Sequence, residues 1–282
     1  MSRVAVVTGA NKGLGLAIVK GLCERFDGVV YLTSRDEKRG RNACEELNQL
    51  GLRPLFHQLD VTDEASITKF RDFVKEKHVG INIIVNNAGI LFLKDANEPK
   101  LYQAEQTILV NFTSLVNFTE AMLPLLKDGG KIVNISSSSG HLSRIPSKEI
   151  RRRVRSPELS LEALKSSIQE YLEAVRKNKE IEEGWGDSPY VVSKVAVNAY
   201  TFLLQRKLEA RGIFVNCVHP GYVKSDMTRG SGDVSPARAA EHPLRLALQV
   251  SSGGLYVWRD GAPVPWDGPD PRGYKDGKDV PQ

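Results

Sequence analysis

VAVVTGANKGLG, residues 4–15, is the stretch of sequence from which the fold can be predicted. Residues 4–8 form an apolar run typical of a buried strand, and residues 16–26 have the spacing of an amphipathic helix. Glycines between them let the backbone turn tightly and approach a pyrophosphate, which the unpaired N–H groups at a helix start also attract. The spacing is Gly-x-x-x-Gly-x-Gly, not the Gly-x-Gly-x-x-Gly of the usual dinucleotide fingerprint, but the required strand and helix are present. We therefore expect a dinucleotide to bind at Gly9, Asn11, Lys12, Gly13, Leu14 and Gly15.

The alternation of strand and helix continues along the chain. Apolar runs predict further strands at residues 28–33, 54–58, 81–85, 131–135, 212–218 and 254–258. Helical patterns cover residues 63–77, 105–126 and 235–250, another contains Arg39 and continues to about Gly51, and one more helix starts at Pro189. Strands that alternate with helices form a parallel sheet through right-handed crossovers. The sequence predicts an α/β fold with a doubly wound, Rossmann-type parallel sheet of about seven strands, in a single domain that spans residues 1–282.

Two segments depart from this alternation. Residues 141–188 contain a basic run, followed by apolar residues that share one face of a helix starting near Ser160, namely Leu161, Leu164, Ile168, Leu172 and Val175. We predict that 141–188 is a helical insertion covering part of the main sheet, because such a stripe must be buried against something. The end of the chain, residues 263–282, is rich in Pro, Gly and Asp, and we expect it to be loosely ordered.

Composition restricts the compartment and the partners. Hydrophobic residues make up 41% and charged residues 26%, as is ordinary for a soluble protein, and no apolar run approaches the ~18 residues of a membrane span. The chain enters an apolar strand straight after Met-Ser-Arg, and its three cysteines are widely spaced. We therefore expect reduced thiols, a cytoplasmic location, no metal site and no membrane partner. A net charge of +5 is too small to indicate nucleic acid, but it favours an anionic cofactor.

The end of the second strand indicates which dinucleotide binds. A carboxylate there hydrogen-bonds the ribose of NAD, whereas the 2′-phosphate of NADP needs cations. Arg35, Arg39 and Lys12 are positioned to supply them, since guanidinium groups match phosphate oxygens. Asp36 favours NAD instead if its side chain faces the ribose. We expect NADPH, bound at this corner by Ser34, Arg35 and Arg39.

Polar and small residues follow three other strands. Asp60 and Val61 come after the third strand, where a carboxylate can accept from an adenine amino group, although turn formation explains Asp60 equally well. Small residues that let a flat ring approach the backbone follow the fourth and sixth strands, and there we expect cofactor contacts at Asn87, Ala88, Gly89, Pro220, Gly221 and Val223. For His219 we prefer a structural role, because the sequence indicates no partner for it.

A residue pair near the start of the Pro189 helix has the spacing of an acid–base site. Tyr190 and Lys194 are four apart, so the phenol and the ammonium lie on one helix face. A nearby positive charge favours the phenolate and makes the group usable in proton transfer near neutral pH, although such pairs also occur by chance on solvated helices. Ser137, at the end of the fifth strand, points into the crevice where open α/β sheets bind ligands. Asn111, in the 105–126 helix, taken alone is more typical of a satisfied core group.

These motifs together resemble the short-chain dehydrogenase/reductase family from Val4 to Trp258. The resemblance rests on the glycine loop, the Asn-Asn-Ala-Gly run at 86–89, and the residues Asn111, Ser137, Tyr190, Lys194, Pro220 and Gly221. The long gap before the tyrosine and the runs at 9–15, 34–36 and 56–60 are similar to the NADPH-dependent carbonyl reductase branch. Two residues depart from that branch, Val191 in place of a glycine and His219 in place of a cysteine.

The resemblance implies an enzyme that reduces ketones, aldehydes or quinones to alcohols with NADPH. It implies that Tyr190 donates the proton and that Ser137, rather than its neighbour Ser136, hydrogen-bonds the carbonyl oxygen. It also implies that Lys194 lowers the pKa of the phenol and holds the ribose, and that Asn111 orders a water. A monomer is implied as well, in agreement with an insertion that covers the helix face through which many members of the family pair.

Three alternatives remain open. A noncatalytic dinucleotide-sensing or scaffold protein can share the fold, although it would usually have lost Tyr190, Lys194 or Ser137. A dehydrogenase of the same family can act on one specific endogenous alcohol or steroid. A basic nucleic-acid-binding protein is disfavoured because no aromatic platform accompanies the cations.

Overall fold

The computed structural model describes residues 3–272 and contains one sheet of seven parallel strands. The strands are Val4–Val7 (β1), Val29–Ser34 (β2), Leu55–Gln58 (β3), Ile81–Asn86 (β4), Leu126–Ile135 (β5), Phe214–Val218 (β6) and Tyr256–Val257 (β7). Their order is β3-β2-β1-β4-β5-β6-β7, so the chain changes direction across the sheet between β1 and β4. Ligands of open α/β sheets bind at the carboxyl ends of the strands beside such a reversal. The predicted doubly wound parallel sheet is confirmed.

Helices cover both faces of the sheet. They are Gly13–Arg25 (α1), Glu37–Gln49 (α2), Glu64–Lys77 (α3), Lys100–Ile108 (α4), Ser114–Met122 (α5), Lys148–Val154 (α6), Leu161–Arg176 (α7), Pro189–Leu208 (α8), Pro236–Ala239 (α9) and Glu241–Leu248 (α10). Alternate residues of a strand point to opposite faces, so Val4 and Val6 pack with α3, α5 and α8, whereas Ala5 and Val7 pack with α1, α2 and α10. The central strands are buried on both sides, which explains their continuous apolar runs.

The helix predicted at 105–126 is longer than expected and irregular. The chain is helical from Lys100 to Leu125, with a wider π-helical turn at Leu109–Thr113 between α4 and α5. By length and composition this stretch is apolar enough to cross a membrane, contrary to our expectation that no segment approaches that length. Half of its most apolar window is buried inside the protein, as is typical of a core helix that packs on a sheet.

The helix predicted at 235–250 is divided into α9 and α10. Pro243 has no N–H group and cannot donate to the carbonyl of Ala239, the residue at which α9 ends. The break turns α10 onto α1, where Leu244 packs so closely on Gly21 that no side chain fits there.

The segment before Tyr190 folds into α6 and α7. Both helices start at serine caps, with Ser147 Oγ accepting from Ile150 N at 3.3 Å and Ser160 Oγ accepting from Ala163 N at 3.0 Å. Helix α7 packs against α4 and α8. Three members of the predicted stripe, Leu164, Ile168 and Val175, are buried in α7. The other buried residues of this helix are Ser167, Tyr171 and Ala174.

The chain after Pro263 is packed onto the protein as far as the structure describes it. Trp266 is buried and its Nε1 donates to the carbonyl of Gly140 at 2.7 Å, and the side chain of Asp270 is fully buried. The expectation of a loosely ordered tail is therefore wrong for residues 263–272. Burial of the indole contributes about 3 kcal/mol towards the cost of ordering this Pro- and Gly-rich segment. Residues 273–282 lie outside the described residues.

Candidate active site

The glycine loop after β1 lies against the end of β4, with no room for side chains at two positions. Gly9 has a φ of +60°, and a Cβ there would lie 2.9 Å from Ala88 Cα. A Cβ on Gly15 would lie 2.5 Å from Asn87 Nδ2. Gly13 turns the chain with a φ of +57°, which side chains rarely allow. The loop is a bare backbone cradle of the kind a pyrophosphate requires.

Hydrogen bonds join this loop to the segment after β4. Asn87 Nδ2 donates to the carbonyls of Thr8 and Gly9, at 2.9 and 3.0 Å. Thr8 Oγ1 accepts from the backbone N–H groups of Asn87 and Ala88, at 3.0 and 3.1 Å. The side chains of Asn87 and Thr8 thus make one rigid platform from two loops. Helix α1 begins after Lys12 without a side-chain cap or an acidic residue in its first turn, so its N–H groups can bind an anion.

The acidic residue at the end of β2 is turned away from the crevice. Asp36 caps helix α2 by accepting from Arg39 N at 2.9 Å, and its second oxygen pairs with Arg39 Nε at 3.3 Å. This use of Asp36 removes the feature that would favour NAD. Arg35 is exposed and forms no ion pair with residues 3–272, so its guanidinium is available to a phosphate.

Two other residues predicted at this corner already have partners. Lys12 Nζ pairs with Asp226 Oδ2 at 2.5 Å, and Lys12 followed by Arg39 lowers the pKa of that carboxyl. A 2′-phosphate would therefore compete with Asp226 for the lysine. Ser34 is buried, and its hydroxyl donates to the carbonyl of Asp36 at 2.7 Å. The side chains of Arg35 and Arg39 are exposed beside the end of β2.

The residues predicted after β3 and β6 are shaped by turns. Asp60 Oδ1 accepts from the backbone N–H and hydroxyl of Thr62, at 2.9 and 2.7 Å, so turn formation is realised. Its Oδ2 makes no hydrogen bond within residues 3–272 and is the oxygen left for an adenine amino group.

Gly221 has a φ of +93°, and a Cβ there would lie 2.9 Å from Val234 Cγ2. Val223 then bridges to Val234, which folds this segment back along itself.

Tyr190, Lys194 and Ser137 come together at the carboxyl end of β5. Lys194 is buried, its Nζ donates to the carbonyl of Ile135 at 2.8 Å, and it lies 5.6 Å from the centroid of the Tyr190 ring. Ser137 acts on the Tyr190 hydroxyl, since its side chain lowers the pKa of the phenol. The predicted helix start is also observed, since Ser188 Oγ accepts from the backbone three residues on. The arrangement places a proton donor, a hydrogen-bond donor and a cation in one crevice.

The pKa values in this crevice are governed by burial. Burial raises the pKa of Tyr190, and the hydrogen bond from Ser137 opposes this rise. Burial also lowers the pKa of Lys194 to about 8. The effect of Lys194 on the pKa of the phenol stays a prediction; in the structure its Nζ donates to the Ile135 carbonyl. A phenol with a raised pKa stays protonated at neutral pH, as a proton donor must.

The two adjacent serines at the end of β5 face opposite ways. Ser136 is buried, and its hydroxyl donates to Asn198 Oδ1 at 2.6 Å. Ser137 Oγ accepts from the backbone N–H of Ser139 at 3.1 Å, and this side chain lowers the pKa of Tyr190. Successive residues of a strand alternate in direction, so only one of the two can reach the phenol. The structure brings Ser137 to Tyr190.

Asn111 lies in the π-helical turn and is buried. Its Oδ1 accepts from Ile90 N at 2.8 Å, and its Nδ2 donates to the Ile90 carbonyl at 3.0 Å and to Ser193 Oγ at 3.1 Å. Both amide hydrogens are thus used, and one acceptor position on Oδ1 remains for a water. Asn111 ties the segment after β4 to α8 at the residue before Lys194. Single π-helical turns frequently mark functional sites.

His219 is buried near the same end of the sheet, with its ring 4.8 Å from that of Trp258. Burial, together with the charges of Arg272 and Arg259, lowers the pKa of His219 to about 3. The imidazole is neutral near physiological pH and does not supply a proton there, which fits the structural role. Within residues 3–272, no three His, Cys, Asp or Glu side chains are grouped to hold a metal ion.

A family model described as short chain dehydrogenase matches residues 3–147 and 181–234. The match covers more than half of the chain and includes the glycine loop, Asn111, Ser137, Tyr190 and Lys194. The chain belongs to the short-chain dehydrogenase family. The two matched parts are separated by residues 148–180, which contain α6 and α7.

Relatives place the chain more closely within this family. Carbonyl reductase [NADPH] 3 of Mus musculus is 42% identical over 252 residues, 88% of this chain and 91% of that protein. Carbonyl reductase [NADPH] 1 of Bos taurus is 42% identical over 254 residues, with the same two shares. The structure of salutaridine reductase from Papaver somniferum has a TM-score of 0.82 at 31% identity, covering 90% of this chain and 99% of that chain. The predicted resemblance to the carbonyl reductase branch is confirmed.

Sequence reasoning missed several residues of this short-chain dehydrogenase site. Asn198 lies eight residues after Tyr190, on the same face of α8, and this spacing was a signal that could have found it. Thr8 also belongs to the site, and the signal for it was a polar residue at the end of an apolar strand. Asp226 and Arg272 reach the site through loops, and no periodic pattern indicates them. Trp266, a lone aromatic residue in a polar tail, was a signal for an anchored segment.

Proposed function

We propose that the protein reduces ketones, aldehydes or quinones to alcohols with NADPH, and that Tyr190 is the proton donor. The observation that carries this proposal is the meeting of three groups in one crevice: Lys194 is buried 5.6 Å from the centroid of the Tyr190 ring, and Ser137 lowers the pKa of the phenol. Two relatives at 42% identity are named carbonyl reductase [NADPH], which supports the same reaction and cofactor.

Tyr190 and Ser137 act on the oxygen of the substrate carbonyl. The raised pKa of Tyr190 keeps the phenol protonated, so it can give its proton to that oxygen as negative charge develops there. Ser137 donates a second hydrogen bond to the same oxygen, in the manner of an oxyanion donor. Lys194 holds the ribose of the cofactor, and its pKa of about 8 leaves much of it protonated at neutral pH.

NADPH fits the residues at the carboxyl ends of the strands and supplies the hydride when bound. Side chains are excluded at Gly9 and Gly15, as the close approach of a pyrophosphate requires. Arg35 and Arg39 lie at the end of β2, and Lys12 joins them when Asp226 releases it, so three cations can hold a 2′-phosphate. Further contacts come from the remaining predicted positions, which are Asn11, Gly13, Leu14, Ser34, Asp60, Val61, Asn87, Ala88, Gly89, Pro220, Gly221 and Val223.

Asn111 holds the site together and orders the water that returns a proton to Tyr190. Its amide fixes Ile90 and, through Ser193, the first turn of α8. Ser193 Oγ in turn donates to the carbonyl of Tyr190 at 2.8 Å. The water donates to the acceptor position of Asn111 Oδ1 that the protein leaves open.

A second candidate function is the reduction of one specific compound. It is favoured by the similarity to salutaridine reductase, whose name gives a single substrate. A noncatalytic role is disfavoured, because the chain retains Tyr190, Lys194 and Ser137 and brings them together.

The test is NADPH consumption with a panel of quinones, aldehydes, aromatic ketones and keto-steroids, with the alcohol product identified by mass. Tyr190→Phe is the matched control for background oxidation. We expect turnover of several panel members. Turnover of one compound alone would support the second candidate, and failure to reduce any panel member while NADPH binds would refute the proposed reaction.

We also propose that the protein is a cytoplasmic monomer. Helix α7 covers α4 and α8, and Arg176 of α7 pairs with Glu105 of α4 at 3.2 Å, so this face is occupied by the chain itself. Cys23, Cys44 and Cys217 are all unpaired, which supports a reducing compartment. Sedimentation equilibrium at micromolar concentration is expected to give a mass near 31.2 kDa, and twice that mass would contradict the proposal. Cell fractionation tests the location.

A further inference from the structure

Residues 136–143, here called the serine loop, lead from β5 to α6 and carry the proposed hydrogen-bond donor. Side chains from distant parts of the chain hold the backbone carbonyls of this loop. Tyr256 Oη donates to the carbonyl of Ser137 at 2.6 Å, and Asn198 Nδ2 donates to the carbonyl of Gly140 at 2.9 Å. The loop is therefore held from β7 and from α8.

The end of the described chain holds the serine loop from a third direction. Trp266 Nε1 donates to the carbonyl of Gly140 at 2.7 Å. Arg272 donates twice to Ser138, from Nη1 to the hydroxyl and from Nη2 to the carbonyl, each at 2.8 Å. A planar guanidinium that makes two such bonds fixes both the position and the direction of the group it binds.

A buried carboxylate orients this guanidinium. The side chain of Asp270 is fully buried and accepts from Arg272 Nε at 3.3 Å and from Nη2 at 3.1 Å. Ser143 Oγ donates to the same carboxylate at 3.3 Å, and His141 Nδ1 lies 3.7 Å from it. Removing the cation would leave this buried charge without its main partner, so the arginine has one stable position.

The direction of the Ser137 hydroxyl depends on the part of the loop that Arg272 holds. Ser137 Oγ accepts from the backbone N–H of Ser139, so its own hydrogen is left for Tyr190. That N–H group belongs to the single helical turn Ser138–Gly140, and Arg272 binds its first residue. A shift of this turn would move the N–H group and rotate the hydroxyl.

We propose that Arg272, held in place by Asp270, is a positioning residue that sets the direction of the Ser137 hydroxyl. The inference rests on the proposed function, in which Ser137 hydrogen-bonds the substrate carbonyl. Arg272 and Asp270 lie beyond residue 234, where the family model ends, so the hold belongs to this chain's own C-terminal segment.

Arg272→Ala tests the proposal, with Arg155→Ala as the matched control. Arg155 Nη1 pairs with Asp267 Oδ2 at 3.3 Å, so it attaches the same segment to α6 at a point outside the serine loop. We expect Arg272→Ala to lower kcat about tenfold or more, with KM and the NADPH Kd changed less than about twofold. Arg155→Ala is expected to keep the wild-type kcat. Added ethylguanidinium should restore kcat in Arg272→Ala, whereas ethylammonium should not, because only the planar ion can bridge Ser138 and Asp270.

Equal kcat values in the two variants would overturn the proposal. So would a loss in Arg272→Ala that accompanies a lower melting temperature and resists ethylguanidinium, because the arginine would then be structural only. If Arg272→Ala does not fold, Ser138→Ala removes one of the two acceptors of the guanidinium. That variant is expected to lower kcat about threefold, and an unchanged kcat would count against the proposal.

A second readout needs no turnover and separates this proposal from the proposed function. With NADP⁺ bound, the near-ultraviolet absorbance of tyrosinate is titrated with and without Tyr190→Phe, so the difference reports Tyr190 alone. Lys194 is the charged group beside this phenol, and Arg272→Ala does not alter it. Weaker donation from Ser137 should raise the pKa of Tyr190 in Arg272→Ala and not in Arg155→Ala. An unchanged pKa overturns the positioning role, whereas a wild-type protein that reduces no carbonyl refutes only the function.

Discussion

Alanine at Ser136 and alanine at Ser137 remove the same oxygen from adjacent residues, with opposite expected consequences. Ser137 Oγ accepts from Ser139 N at a partly buried position, and the side chain lowers the pKa of Tyr190. Removing one hydrogen-bond donor to a developing oxyanion lowers kcat about 10²- to 10³-fold, or about 2.7–4 kcal/mol in the barrier. Its contribution to folding is small, because a single hydrogen bond of this kind contributes about 0.5–1.5 kcal/mol.

Ser136→Ala is expected to reduce stability instead. Ser136 is 3% exposed, and its hydroxyl is the donor to Asn198 Oδ1, at 2.6 Å. Leaving that buried oxygen without its donor costs about 1–3 kcal/mol of unfolding free energy. In a chain of this size the melting temperature should fall by roughly 2 to 6 °C. We expect kcat to change less than about fivefold, since the serine loop keeps its holds at Ser138 and Gly140.

Steady-state kinetics with NADPH and thermal unfolding of the same samples make the measurement. Ser139→Ala is the control, because its side chain makes no hydrogen bond within residues 3–272, and it should resemble the wild type in both assays. The reasoning is refuted if Ser136→Ala loses turnover at an unchanged melting temperature while Ser137→Ala keeps it. That result would exchange the roles of the two serines.

Four further predictions address the proton donor, the cofactor and pH. Tyr190→Phe should bind NADPH within about twofold of the wild type but lose turnover, and more than about a tenth of the wild-type kcat would contradict its role. Arg35→Ala should raise the Kd of NADPH about tenfold, measured by fluorescence titration, and leave the Kd of NADH unchanged. If both Kd values rise by the same factor, Arg35 does not contact the 2′-phosphate. Asp226→Asn should lower the Kd of NADPH about two- to fivefold at low salt by freeing Lys12, and a weaker affinity would show that Asp226 does not compete. Burial lowers the pKa of His219 from 6.5 to about 3, so between these two pH values the unfolded chain binds more protons and the free energy of unfolding falls as the pH decreases. His219→Gln should therefore make the melting temperature depend less on pH below about pH 6.5. An unaltered slope would contradict the lowered pKa.

The core of the fold was predictable because local patterns carry it. A strand buried on both faces must be apolar, as in residues 4–7 and 83–85, and a helix on one face shows a 3.6-residue period, as in Leu164, Ile168 and Val175. Helix boundaries that depend on one missing hydrogen bond or on contacts with other helices were not predicted. The division of the 235–250 helix follows from the missing N–H of Pro243, and the early start of the helix at Lys100 follows from contacts with α7 and α8.

The sequence by itself determined which chemical groups reach the carboxyl ends of the strands, because helix spacing puts Tyr190 and Lys194 on one face and the end of the fifth strand brings the serines there. Only the tertiary structure decided how those groups are used. Asp36 caps helix α2, and Lys12 pairs with Asp226, 214 positions away in the sequence. Arg272 hydrogen-bonds Ser138 from a tail whose composition predicted loose order. Such pairings are formed between loops that share no period, and their direction depends on which donor is nearest once the core has packed. The pKa of Tyr190 is likewise set by the tertiary structure, since the burial that raises it cannot be read from the spacing of the sequence.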